Sequence, residues 1–299
     1  MLDHIIPIAL TPFHDDGGLD LDSIPTLQAF YRRQGASALI VLGIMGEAHA
    51  LSDQEREAVI AAYVAASGDL PIIATVSAPA TEVACERARR ARQLGAHYVM
   101  AAPPPGVTDV IQLTRHFSQI ATAADCPWVL QDEPVTTGVR LPPDAIASLA
   151  AAVPSLTAVK VEDVPTPSKI DALHRLLPKT DLFGGLGGLY LFEELQHGAR
   201  GSMTGFSYPD ILGRVMDRFA YDAERARALF YQYLPLIRYE AQLGVRGIAI
   251  RKALFYRRGL IASPAVRAPS APADPVIQAD LLDLVKALRL PLTAQEGAV

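Results

Sequence analysis

Eight short runs of apolar, β-branched residues are strung along this chain, with amphipathic helical patterns between them. The runs are Ile5–Leu10, Ala38–Leu42, Pro71–Val76, Tyr98–Ala102, Trp128–Leu130, Leu156–Val161, Asp181–Gly184 and Gly201–Thr204. They recur roughly every 20 to 35 residues, the period of a strand–helix unit. Near-continuous apolar character predicts strands buried on both faces, as in a parallel sheet. Eight such units make a closed (β/α)₈ TIM barrel the expected fold, with a doubly wound open sheet as the alternative on pattern alone. A length of 299 residues, half of them hydrophobic, suits one domain of that size.

The helical signals between the runs agree. Ser52-Asp53-Gln54-Glu55 reads as a capping box, Thr81 as an N-cap, and Gly95 as the residue just past a helix end. From about Tyr221 the alternation stops. Helices are expected over 222–243, kinked at Pro235, then over 247–258 and 277–288, with a surface linker over 262–275. The chain therefore divides into a barrel over 1–221 and a C-terminal helical extension over 222–299.

Composition excludes several classes of function. The formal net charge is −5 and the basic residues are scattered, so nucleic acid is not an expected partner. The densest basic stretch, Arg87 to Arg92, reads as a solvated helix face. No apolar run approaches the roughly 20 residues that span a bilayer, and no basic segment precedes a long apolar one. Neither membrane attachment nor export is expected, which points to the cytoplasm. Cys85 and Cys126 have no partner at metal-ligand or disulfide-framework spacing. No metal and no cofactor is called for.

Three segments can carry chemistry. Lys160 ends the run Leu156-Thr157-Ala158-Val159-Lys160, and strand alternation puts Ala158, Lys160 and Glu162 on one side. If that side is the barrel interior, Lys160 lies at the C-terminal mouth, where barrel enzymes keep their chemistry. An amine held out of water is more readily neutral, and a neutral amine can form an imine with a ketone. From the strand alone, the simpler reading is a lysine reaching solvent. Gly43-Ile44-Met45-Gly46-Glu47 follows the second run, and its backbone N–H groups can hold a carboxylate; a plain strand-to-helix turn is the alternative. Gln131-Asp132-Glu133-Pro134 follows the fifth run, with Gln131 and Glu133 sharing a face. Glu133 is there a candidate general acid or base, or simply part of a polar strand end. The glycine-rich stretch Phe183 to Gly188 fits no phosphate-binding spacing; it offers close backbone packing, or floor space for a substrate at Gly185.

Together these segments resemble the dihydrodipicolinate synthase/N-acetylneuraminate lyase family of class I aldolases and dehydratases. The resemblance runs from Ala9-Leu10-Thr11-Pro12-Phe13 to Val266-Arg267-Ala268-Pro269. It includes Gly43-x-x-Gly46-Glu47 with Leu51-Ser52-x-x-Glu55, and Gly198-Ala199-x-Gly201 with Thr204. It implies a (β/α)₈ barrel with a helical extension, Lys160 as the Schiff-base lysine, and a homo-oligomer, a tetramer or a dimer. Gly43, Ile44, Met45, Glu162, Gly185 and Met203 are the residues expected to touch substrate, a small 2-oxo acid.

The departures are as informative. Ile44 and Met45 stand where the family usually has two threonines. Gln131 replaces the tyrosine that moves protons beside the imine, and Pro105 and Gly106 replace a tyrosine pair. Thr136 stands where dihydrodipicolinate synthases place the arginine for the second substrate's carboxylate. These changes imply that the chain is not a true dihydrodipicolinate synthase. The expected activity is a Schiff-base lyase, aldolase or dehydratase, on a sugar-derived 2-keto-3-deoxy acid. Glu133, ahead of Glu162, is the expected proton carrier. The alternative is a barrel that binds a 2-oxo acid and no longer turns it over.

Overall fold

The computed structural model of the protein describes residues 2–292. The eight apolar runs form eight parallel strands: β1 His4–Pro7, β2 Leu39–Val41, β3 Ile72–Thr75, β4 Tyr98–Ala101, β5 Trp128–Asp132, β6 Leu156–Val161, β7 Asp181–Gly184 and β8 Gly201–Thr204. Each pairs with its sequence neighbour, and β1 pairs with β8. The remaining gap closes at Ile8, which bridges Ile40, while the Ala9 N–H donates to the Ile40 carbonyl at 2.8 Å. Closure at this point makes the sheet a barrel and rules out the open-sheet alternative.

Helices alternate with the strands: α1 Ile24–Arg33, α2 Asp53–Ser67, α3 Thr81–Gln93, α4 Val110–Ala124, a single turn α5 Pro134–Thr137, α6 Pro143–Ala152, α7 Thr166–Leu176, α8 Leu191–Gln196 and α9 Pro209–Phe219. Ser52 and Glu55 form the expected capping box at the start of α2. Thr81 is not the cap of α3: Ala80 takes that position, and the Thr81 hydroxyl pairs with His116 Nδ1 at 2.9 Å.

Strand register decides which side chains meet inside the barrel. In a parallel ladder registered partners share a face and alternate residues return to it. Lys160 is in register with Gln131 on one side and Phe183 on the other; Val129 pairs with Met100, and Met100 with Thr75. Thr75, Met100, Gln131, Lys160 and Phe183 therefore share a face. A bulge opposite Trp128 throws Thr157 out of register and sets this parity for β6. Asp132 has the opposite parity and meets Lys169 of α7, 2.6 Å away, so its face is the one toward the helices. Lys160 points inward.

The extension consists of α10 Ala223–Ala241, α11 Gly247–Arg257 and α12 Pro275–Ala287. It shares an apolar core with α8 and α9, in which Phe192, Phe206, Ile211, Phe230, Leu236 and Leu281 are buried. α10 runs through Pro235 as one helix, and α12 starts two residues earlier than expected because Asp274 caps it. The segment between α11 and α12 is not a free linker. Arg267 within it donates to both oxygens of Glu55, and its backbone N–H donates to Glu47 Oε2 at 3.0 Å. Among the described residues no helix is long and apolar enough to cross a membrane.

Candidate active site

Lys160 is next to last in β6 and 2% exposed. Its Nζ lies 2.9 Å from Glu162 Oε2. The same oxygen accepts a hydrogen bond from Gln131 Nε2, also at 2.9 Å, and Glu162 Oε1 accepts one from the Leu186 N–H at 3.3 Å. A buried amine, a carboxylate and an amide thus form one cluster, the strand register having brought Gln131 and Lys160 side by side. Glycine is needed beside it: a Cβ on Gly185 would stand 2.4 Å from Glu162 Cγ. The space over Gly185, expected to be floor for a substrate, is filled by the Glu162 side chain.

Glu133 is placed differently. It is the N-cap of α5, accepting hydrogen bonds from the backbone N–H of Val135 and Thr136 at 3.0–3.2 Å and from the Thr136 hydroxyl. Proline at the first helical position leaves such a turn with few donors, and a side-chain carboxylate is the usual partner for those that remain. Both Glu133 oxygens are engaged there, whereas Glu162 touches the lysine. Asp132, between Gln131 and Glu133 at the end of β5, faces α7, where burial pushes its carboxyl up to about 6 against the opposing pull of Lys169.

The glycine loop after β2 is a single tight turn over Ile44–Gly46. The Gly46 and Glu47 N–H groups close it, at 2.9 and 3.0 Å. The first two N–H groups of such a turn, those of Ile44 and Met45, have no partner within it. The loop is held from below by the C-terminal extension. Glu47, in the left-handed region at φ 51°, is fully buried against Lys252 of α11 at 2.5 Å. Burial pulls the Lys252 amine down to about 8, with Glu47 opposing. Met45 turns its sulfur to Arg251 Nη1, 2.7 Å away, so its side chain faces α11. Met203 is fully buried in the barrel core.

A cavity of about 340 Å³ borders this cluster at Gln131; Lys160 and Glu162 lie behind that residue and do not themselves line it. Gly43, Ile44, Gln131, Glu133 and Thr136 line it, with Pro103 and Pro105 after β4. Of the expected substrate contacts, Gly43 and Ile44 line it, whereas Met45, Glu162, Gly185 and Met203 do not. Thr75 and Arg56 also line the cavity, and nothing in the sequence singled them out. Arg56 follows a capping box and reads there as an ordinary helix-surface arginine. Only the packing of α2 against the ends of β2 and β3 turns it inward. Burial brings its guanidinium down to about 10, with Arg87 adding to the effect.

The model of the dihydrodipicolinate synthetase family matches residues 1–288. An L-2-keto-3-deoxyarabonate dehydratase from Azospirillum brasilense is 32% identical, over 95% of this chain and 94% of its own length. A 4-hydroxy-tetrahydrodipicolinate synthase from Streptomyces coelicolor is 31% identical, over 91% and 90%. Among solved structures, a dihydrodipicolinate synthase from Rhodopseudomonas palustris superposes with a TM-score of 0.90 at 38% identity, covering 95% of this chain and 97% of its own.

Proposed function

Because this chain belongs to the dihydrodipicolinate synthetase family, it is a lyase that handles 2-oxo acids through a lysine Schiff base, and we propose that Lys160 carries the imine and that the bond broken is C–O rather than C–C. The substrate is a 2-keto-3-deoxy sugar acid and the reaction is loss of water. The observation that carries this reading is the 2.9 Å contact between Lys160 Nζ and Glu162 Oε2.

Glu162 can take the ammonium proton, which frees the amine to attack the C2 carbonyl; the carbinolamine hydroxyl then leaves as water with that proton, giving the iminium and returning Glu162 to its ionised form. The iminium draws electrons from C3. C3 is only two bonds from the nitrogen, so a carboxylate lying against that nitrogen also lies beside the C3 proton. Glu162 removes this proton to give the enamine, which expels the C4 hydroxyl as water with the proton Glu162 now holds. Hydrolysis of the conjugated imine returns Lys160 and releases a new 2-oxo acid. Cleavage of the C3–C4 bond instead needs a base at the C4 hydroxyl, a carbon further out, where the family's tyrosine is Gln131 and has no proton to exchange. The relative from Azospirillum brasilense, named for such a dehydration, supports the same choice.

The turn after β2 would hold the substrate carboxylate on the Ile44 and Met45 N–H groups, without the threonine hydroxyls usual there. The proton carrier we propose is Glu162 in place of Glu133, whose carboxylate caps α5. The family resemblance also supports a homo-oligomer in the cytoplasm, for which light scattering of the purified protein gives the assembly size.

The test has two parts. Pyruvate with borohydride should leave a reduced adduct on Lys160, mapped by mass spectrometry. A panel of 2-keto-3-deoxy sugar acids should then give multiple turnovers with the carbon chain intact. An adduct on another lysine overturns the assignment of Lys160. Release of pyruvate at the turnover rate makes the enzyme an aldolase. An adduct without turnover on any member favours the barrel that only binds.

A further inference from the structure

Arg56 lies in the first turn of α2, and its side chain is 7% exposed. It donates two hydrogen bonds, both to backbone carbonyls: Ala48 at 3.1 Å and Thr75 at 2.7 Å. The nearest carboxylate, Asp53 Oδ1, is 3.8 Å from Arg56 Nε, and that oxygen is held by Arg87 Nε at 2.7 Å. Two guanidinium groups therefore share one carboxylate, and the more buried of them has only neutral acceptors. A buried cation without a direct counter-charge is costly and is normally compensated by an anion. Thr75 supplies a second, independent observation. It is 7% exposed, it points into the barrel, and its buried hydroxyl has no hydrogen-bond partner. Arg56 and Thr75 line the same cavity as Gln131, which borders the Lys160 cluster. The cavity's own carboxylate, Glu133, is held at the β5 side by the start of α5.

We propose that the β2–β3 side of this cavity is a carboxylate subsite, built by the Arg56 guanidinium and the Thr75 hydroxyl, so that the substrate carries a second carboxylate at the end remote from its keto group. The proposal rests on the reading of Lys160 as the imine-forming residue. A chain ending in a hydroxymethyl group would meet the Arg56 donors but leave the charge unbalanced. A carboxylate both balances it and accepts from the guanidinium and from Thr75. The substrate class is thus narrowed from 2-keto-3-deoxy sugar acids in general to the diacids among them.

Borohydride trapping at Lys160 measures this without knowing the natural substrate. The parent protein is titrated with 2-oxoglutarate and with 2-oxopentanoate, which has the same chain length and lacks the second carboxylate, and with pyruvate as the tailless reference. A charge-assisted contact predicts half-saturation by 2-oxoglutarate at a concentration about 10- to 100-fold lower than by 2-oxopentanoate. Arg56→Met should collapse that ratio to near one, and Arg56→Lys should retain part of it. Equal half-saturation by the two acids in the parent overturns the subsite, and this comparison needs no variant to fold. A ratio that survives in Arg56→Met overturns the role of Arg56, since a merely structural arginine weakens both acids alike. Failure of pyruvate itself to trap on Lys160 in the parent is a different result and removes the underlying reading.

Discussion

Replacing Glu162 by glutamine isolates the proton step. The amide has the same size, and Gly185 leaves the same space for it, so the cluster keeps its shape and loses only the group that can take a proton. In the parent, one oxygen of Glu162 sits 2.9 Å from both Lys160 Nζ and Gln131 Nε2. Gln131 cannot take over, because its amide does not titrate. General acid–base help is worth about 10²- to 10⁴-fold, or about 2.7–5.4 kcal/mol of barrel-bound barrier at 1.36 kcal/mol per decade. Pyruvate in D₂O provides the assay: formation and collapse of the enamine exchanges the methyl protons for deuterium, and the loss of the methyl proton signal in NMR gives the rate. Glu162→Gln should slow this exchange by the factor above while borohydride still traps pyruvate on Lys160. Lys160 also loses its carboxylate partner, and breaking a buried pair costs about 3–5 kcal/mol if the charge persists, so Tm is measured on the same sample. Exchange at the parental rate would refute the assignment. Parallel loss of exchange and trapping, in a variant that is still folded, would place the indispensable step of Glu162 at freeing the Lys160 amine and refute the assignment of the C3 proton as the step that the variant isolates.

Glu133→Gln should behave oppositely: it weakens the cap of α5 by about 1 kcal/mol, read as a lower Tm, and leaves methyl-proton exchange within about threefold of the parent. Gly185→Ala drives a methyl group into Glu162, with 2.4 Å to its Cγ, so exchange should fall as in Glu162→Gln while trapping persists; parental exchange would mean that Glu162 works from elsewhere. Glu194 is fully buried, with Thr166 donating to its Oε1 at 2.6 Å, and burial pushes its carboxyl up to about 8. Its folded value lies above the ordinary one of 4.5, so the folded state binds the proton more tightly. The stability this contributes is complete below about pH 4.5 and is lost as pH rises through 8. Between pH 5 and 9 the parent should lose on the order of a few kcal/mol through this group; Glu194→Gln should flatten that slope in a Tm-against-pH series, and an unchanged slope would place the loss elsewhere.

Strand-length patterns, the Ser52–Glu55 capping box and motif spacing are local properties, and those parts were legible in the chain. Eight buried runs with helices between them leave few ways to cover both faces of a parallel sheet, and the barrel is the one that also removes the edges. That Lys160 and Glu162 share a face followed from alternation alone; that this face is the inner one was decided by strand register and the bulge opposite Trp128. What depends on distant partners was not legible. Glu133 and Glu162 are both acidic residues just past a strand end, and nothing in the sequence says that one caps the turn begun by Pro134 while the other folds back over Gly185 onto Lys160. The segment around Arg267 has the composition of a surface linker, yet it is fastened to Glu47 and Glu55, more than 200 residues away along the chain. Arg251 and Lys252 look like any charged pair on a helix until α11 is laid under the glycine loop. Arg56 likewise becomes a wall of the cavity only when α2 packs against β2 and β3. The fold follows from burying apolar surface, which every local segment reports. The charges around the site are arranged by closure of the barrel and by the docking of the extension, which no segment reports by itself.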